Sequence, residues 1–510
     1  MEKHASHKRK VEKFKMRSFI AQLKRTWYVP VTLLVIGALS FLIYYIPLAN
    51  ESLRLDESQS IWQASHSLKE TLFIVAQDVH VPLYHVIFHF WITIFGTSTA
   101  MIRLLSFILF LLTMPFIYLL GRTILSRKWS LVVVGLIALS PFISWYANEA
   151  RMYTLLGLMS VLCQYLFIRI MRGQKSSWPW YVLVCMIGVY SHYFFIFNLA
   201  TQALFFFFNL KRFPKGSFLK FVGTAIATAA SLSPWIVYFI SMGAASNTKP
   251  NIAPPTPIDF FNVYSQFLFG FQSTALNTIL IAFWPLMVVL ALMMVRKFYK
   301  PDLAVYYIAT AAFVPVLLAY LLSFVVSPFF LSRYMIAAVI PLYILIAWIL
   351  SRYSKKIAVT AVVIVFALTA LLSSHQLYAN DAPVRENYKI LVDDIKKEAT
   401  PNDVIVMSSP FTVYPFEYYY DGPLQIKTLP IWDRQNPGPV TAYDREQLPE
   451  QVETLRKGHQ NIYLVLSYDQ GYEEEIRDYF NERFALVESK TYSPGLDLFV
   501  YRVNYQPEVQ

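Results

Sequence analysis

Before Asp381 the chain holds only ten acidic residues. Glu2 and Glu12 fall in a basic N-terminal stretch, and Asp302 lies beside Lys300. The other seven are Glu51, Asp56, Glu57, Glu70, Asp78, Glu149 and Asp259. Asp56-Glu57 is an adjacent pair just past a long apolar run, and Glu149 sits in a tight turn, N-E-A-R-M-Y, between two more. Ionisable groups at membrane depth are costly and are usually kept for function. Brought together, such carboxylates could supply a general base, a divalent-metal site, or both. Glu51, Glu70 and Asp259 read best as solvated surface charges. Asp56, Glu57 and Glu149 lie closer to the apolar runs and read best as functional.

Histidines and arginines extend the set. His85 and His89 are one helical turn apart, the spacing of a metal-binding pair, but their aromatic surroundings read better as an interfacial anchor. His80 is the stronger candidate, since it stands beside Asp78 in D-V-H-V-P-L-Y-H. Asp78, His80 and Glu149 form the candidate metal set, although no spacing demands a metal. Arg54, Arg103, Arg151 and Arg333 are cations near the same apolar ends. A guanidinium offers a planar fork of donors that suits phosphate. The alternative for each is an ion pair with one of the carboxylates.

What must position these residues is a membrane body. The 510 residues are 56% hydrophobic and only 15% charged, against about a quarter charged in a soluble domain. Apolar runs near the roughly 20 residues that span a bilayer occur at 27–48, 99–121, 129–146, 153–171, 178–193, 194–210, 218–240, 277–296, 303–324, 334–350 and 357–373. That gives about 11 transmembrane helices. Met1 to Asn380 carries 31 Lys/Arg against 10 Asp/Glu, and the remainder carries 13 against 22. The basic residues scatter between apolar segments, which argues against nucleic-acid binding. They cluster after every second span, as at Arg122, Arg127 and Lys128, at Arg169, Arg172 and Lys175, and at Arg352, Lys355 and Lys356. Cytoplasmic loops carry such charge, so the N-terminus is expected inside and the seven carboxylates outside. Residues 82–95 are apolar but short. Letting them span would invert every later loop, so they are expected in the outer interface. Cys163 and Cys185 lie in apolar runs and read as core residues.

The organisation expected is a basic cytoplasmic tail at 1–26, a transmembrane module at 27–374 with its first outer loop at 49–98, and an extracytoplasmic domain at 375–510. Helix patterns at 385–398, 446–457 and 472–482 alternate with strand-like runs at 403–408, 461–466, 484–489 and 497–503. This argues a small C-terminal α/β domain.

The pattern resembles the integral-membrane glycosyltransferases of the C-type fold, the superfamily of protein O-mannosyltransferases and aminoarabinose transferases, with the bacterial family 39-like enzymes. The residues that carry it are Asp56-Glu57, the run Asp78, His80, Pro82, Leu83, Tyr84, then Trp91, Gly96, Arg103-Leu104, Gly121-Arg122 and Ser140-Pro141. Glu149, Arg151 and Tyr153 follow, and Arg333-Tyr334 comes late. The order agrees over residues 27–210 and more loosely to 350. Val81 stands where the family usually has the first proline of His-Pro-Pro. The resemblance implies transfer of a monosaccharide from a polyprenyl-phosphate donor to a glycan, lipid or protein acceptor outside the plasma membrane, with inversion. It implies Asp56 as base, Glu57 and Glu149 around acceptor and sugar, and His80, Arg151, Arg333, Arg103 and Tyr153 on the donor side. Some relatives bind a divalent ion and others need none. The rival readings are a flippase of lipid-linked substrates, expected to show inverted repeats that are not seen here, and a non-enzymatic assembly factor.

Overall fold

The computed structural model describes residues 26–503 except 79, 242–251, 283–301, 327, 380–385 and 435–439. Among these, seven helices are long and apolar enough to cross a membrane, or eight when one bent pair counts as a single span. They are α1 (Tyr28–Leu48), α5 (Thr99–Gly121), α8 (Tyr153–Met171), α11 (Ser217–Ser241), α13 (Leu303–Leu322), α14 (Ile336–Leu350, entered through a 3-10 turn at Ser332–Met335) and α15 (Lys355–Tyr378). The bent pair is α6 (Arg127–Leu139) and α7 (Pro141–Ala147), which meet at 66°. The sequence predicts one span over 129–146. Pro141 lacks the N–H that would continue the ladder, and Ser140 Oγ accepts from the Ile143 N–H and restarts the helix. Most of the expected span at 277–296 lies outside the described residues.

Two shorter helices, α9 (Trp178–Ser191) and α10 (Phe195–Phe208), match the runs at 178–193 and 194–210. They run between the same two ends of the bundle. His192, which joins them, packs 5.5 Å from Tyr334 at one end, whereas Phe213 packs 5.6 Å from Phe167 near the other. That second end also collects the basic loops, because Arg172 pairs with Asp302 at 3.2 Å and donates to the Thr123 carbonyl. The first end carries three small helices: α2 (Leu55–Ala64), α3 (Leu68–Gln77) and α4 (Leu83–Phe95). α4 begins and ends there. His80 precedes it beside Arg151, and the Thr97 carbonyl after it accepts from Tyr418. α12 (Pro257–Phe269) completes the labelled helices of the body.

Glu70 and Asp259 prove to be helix-capping residues. Each accepts from the backbone and hydroxyl of the residue three places back, Ser67 and Thr256. Such boxes satisfy donors that a helix start leaves unpaired. Cys163 and Cys185 are buried free thiols with Sγ atoms 3.8 Å apart.

The C-terminal part is a five-stranded sheet with helices. Its strands are β1 (Val404–Ser408), β2 (Ile426–Thr428), β3 (Asn461–Ser467), β4 (Ala485–Ser493) and β5 (Leu496–Arg502), in the order β2-β1-β3-β5-β4. β1 pairs parallel with β2 and β3, and β5 pairs antiparallel with β3 and β4. β1 and β3 are buried on both faces, which explains their continuous apolar sequence. Helices α16 (Tyr388–Glu398), α17 (Val413–Tyr419), α18 (Leu448–Arg456) and α19 (Glu473–Arg483) accompany the sheet. The short elements β2 and α17 are not foreseen from the sequence pattern.

Candidate active site

The site lies where α2 meets the α7–α8 turn, the start of α14 and the C-terminal domain. Asp56, in the first turn of α2, is a quarter exposed. Its Oδ2 accepts from Arg333 Nη1 at 3.2 Å, and its Oδ1 lies 4.0 Å from Arg151 Nη2. Burial opposes its charge, but Arg151, Arg333 and Arg54 together hold its carboxyl well below the usual range. Arg151 is itself anchored, donating to the Asp56 carbonyl at 3.2 Å and to Ser60 Oγ at 3.0 Å. It also donates to His80 Nε2 at 3.1 Å. Arg has no acceptor, so Nε2 is the acceptor in this contact. Asp78 Oδ2 stands 3.6 Å from the same Nε2 and accepts from Gln63 at 2.8 Å and Gln59 at 3.2 Å.

Glu149 is buried, with Oε2 3.2 Å from Arg54 Nη1. Its Oε1 has no hydrogen-bond partner among the described residues. Burial raises its pKa to about 7; Arg54 works against this, and Asp56 and Glu57 add to it. Arg54 also stacks 5.1 Å over Trp145 and reaches Glu386 at 3.4 Å. Tyr153 heads α8 with its ring 4.9 Å from Tyr146, edge to face.

Two residues expected at the substrate face elsewhere. Glu57 is 1% exposed and its oxygens are taken by protein donors: Arg103 at 2.6 and 2.9 Å, the Ala150 N–H at 3.1 Å and the Arg54 N–H at 3.1 Å. Burial disfavours its charge, yet Arg103 and these donors hold its pKa below the ordinary value. Arg103 spends its remaining donors on the Leu48, Glu51 and Ser52 carbonyls. The expected roles of Glu57 at the acceptor and Arg103 at the phosphate are therefore replaced by a buried brace. It ties α1, α2, α5 and the α7–α8 turn together.

Asp78, His80 and Glu149, the candidate metal set, are not gathered: Glu149 faces Arg54, and Asp78 faces Gln59, Gln63 and His80. Among the described residues no group of three His, Cys, Asp or Glu could hold a metal ion. The arginines that crowd these carboxylates are a poor surrounding for a divalent cation. His85 and His89 do not form a pair either. His85 stacks on His80 at 5.6 Å and His89 Nδ1 bonds the Ala64 carbonyl at 2.8 Å.

Sequence reasoning passed over Glu386. Its Oε2 accepts from the Leu55 N–H at 2.9 Å, its Oε1 from Arg54, and Tyr468 donates to it as well. It is one of 22 acidic residues in the tail, and no local motif marks it.

Residues 79–238 match the family described as dolichyl-phosphate-mannose-protein mannosyltransferase. The fold of ArnT from Cupriavidus metallidurans in the apo state is similar, with a TM-score of 0.59 at 12% identity, over 92% of this chain and 97% of that one. ArnT from the same organism bound to undecaprenyl phosphate gives 0.55 at 12% identity, over 94% and 98%. The Archaeoglobus fulgidus oligosaccharyltransferase in the apo form gives 0.48 at 12%, over 86% and 70%. No curated protein sequence matches the chain. The chain thus shares the fold of ArnT, with several helices fit to cross a membrane, and its residues 79–238 are similar to the mannosyltransferase family.

Proposed function

We propose that this enzyme moves a monosaccharide from a polyprenyl-phosphate carrier to an acceptor hydroxyl on the outer side of the plasma membrane. The observation that carries the reading is Asp56 held between Arg151 and Arg333 at one end of an apolar bundle. A lipid phosphate entering there meets the same two guanidiniums. As it takes them, Asp56 loses the cations that suppress its basicity, and the binding of donor prepares the base. The acceptor O–H then gives its proton to Asp56 while its oxygen attacks the anomeric carbon. The bond from that carbon to the phosphate oxygen breaks, and the electron pair leaves with the phosphate. Attack from the face opposite the phosphate inverts the configuration. Arg333, Arg151 and His80 offset the charge that grows on the phosphate, with Tyr153 packed behind them. The unpaired Glu149 Oε1 accepts from a hydroxyl of sugar or acceptor. Glu57 and Arg103 act through the brace.

In this reading eleven helices cross the bilayer, with the N-terminus inside and the C-terminal domain outside. ArnT crystallised with undecaprenyl phosphate supports the choice of donor class. The test is release of radiolabelled sugar from polyprenyl-phosphate donors by the protein in nanodiscs, beside Asp56→Asn. Donor-specific turnover that falls by about a thousandfold or more in a well-folded Asp56→Asn variant is the expected result. No turnover with any donor, together with passage of lipid-linked substrate across liposomes, overturns it in favour of a flippase.

A further inference from the structure

We infer that a cleft between α2–α3 and the C-terminal domain binds a carbohydrate chain, so that the acceptor of this transferase is a glycan. The inference rests on the transferase reading for its word acceptor, and on the cleft itself for its chemistry. The cleft measures about 470 Å³ and is bordered by Gln59, Trp62, Gln63, Asp78, Phe411 and Trp432. Asp56, Gln59 and Gln63 follow one another at i, i+3 and i+7 along α2, which places them on one helix face. The cleft therefore begins about one turn of α2 beyond the proposed base, on the same face of the helix.

Its walls combine flat apolar rings with fixed polar atoms. Trp62, Phe411 and Trp432 are half-buried and each turns part of its ring to the cleft. Arg434 holds the aromatic wall: its guanidinium lies 5.6 Å over Trp62 and 5.7 Å over Tyr414, and Glu417 fixes it at 2.6 Å. Trp62 and Tyr414 are 5.1 Å apart, and Tyr414 meets Trp432 edge to face at 6.3 Å. Between these rings stand the two glutamines, whose amides Asp78 orients. Gln63 is 1% exposed, and its Oε1 has no partner among the described residues. A buried acceptor left unpaired is costly unless a ligand or water completes it.

A pyranose ring answers both demands. One face is a patch of C–H bonds that packs on an aromatic ring, and its rim is a row of hydroxyls that donate and accept. A second cavity of about 490 Å³ shares Trp432 and Arg434 with the first and continues past β2 toward Lys457 and His459. The two together offer a path for several sugar units rather than one. A lipid acceptor would want an apolar wall, and a peptide would want a long free strand edge, whereas β2 offers three residues.

The experiment is an array of bacterial envelope oligosaccharides, peptides and lipids probed with the full-length protein in nanodiscs, with no donor present. The expected result is retention on oligosaccharides, lowered about tenfold or more by Trp432→Ala. Gln63→Met, which keeps bulk and removes the amide oxygen, is expected to weaken retention too, and decides the matter if Trp432→Ala fails to fold. Retention on peptides or lipids alone, no retention at all, or oligosaccharide retention indifferent to both substitutions overturns the inference. Sugar release from the donor is measured separately. Turnover without glycan binding removes this site and leaves the transferase, and glycan binding without turnover does the reverse.

Discussion

At the scale of single residues, the site assigns opposite tendencies to neighbouring carboxylates. Asp56 is surrounded by guanidiniums and stays ionised, while Glu149 is buried with one partner and is pushed up to about 7. Pairs whose environments separate their pKa values commonly mark acid–base chemistry. The sign of the pH effect follows. Below about pH 7 Glu149 is protonated and neutral. Above it, the new negative charge raises the basicity of Asp56 and compensates Arg54. Donor turnover, as kcat/KM, should therefore rise as pH passes through about 7, and Glu149→Gln should flatten that limb. A wild-type profile with no ionisation in this region, or one unchanged in Glu149→Gln, counts against the assignment. Arg333 gives a second expectation. Arg333→Lys keeps the charge but loses the fork, so donor KM should rise by roughly tenfold or more while the fold is kept. Equal KM in the two proteins would mean that Arg333 does not meet the phosphate.

At the scale of elements, α2, the helix that carries Asp56, is fixed from two sides, and the sequence discloses only one of them. The alternation of basic loops and the D-E, D-x-H and E-x-R-x-Y runs are local signals, and the helices that carry them lie close to the predicted ranges. Which carboxylate reaches substrate is not local. Asp56 and Glu57 are adjacent on α2 and point to different sides of it, and only the approach of α5 puts Arg103 on Glu57. Breaking a buried ion pair costs about 3–5 kcal/mol, so Arg103→Ala should lower the unfolding midpoint in detergent sharply, beyond any loss of activity. Stability equal to wild type would deny the brace. The second fixing is Glu386, invisible in the sequence because it acts from the far domain. It accepts the Leu55 N–H at the start of α2 and holds Arg54 toward Glu149. Glu386→Ala should lower kcat by about tenfold, the scale of one lost helix cap and one charge-assisted bond, with donor KM little changed. A raised KM with constant kcat would point instead to a direct substrate contact.

At the scale of the whole molecule, the two ends of the bundle differ in chemistry as the charge pattern requires. One end gathers Asp56, Glu149, Arg333 and the C-terminal sheet, and the other gathers Arg172, Asp302 and the loop after α5. α4 starts and finishes at the first end, which removes the one apolar segment that would have reversed the parity of the helices after it. Cytoplasmic loops concentrate Lys and Arg, so the topology we propose puts the end with Arg172 inside and the sheet outside. The native thiols suit a direct test, since Cys163 and Cys185 are both buried and should react slowly. Lys128 and Glu482 are exposed at opposite ends of the molecule. In intact cells a membrane-impermeant maleimide should label Glu482→Cys at once and Lys128→Cys only after permeabilisation. The reverse pattern would put the carboxylates in the cytoplasm, beside nucleotide sugars, and would remove the reason for a lipid-carried donor.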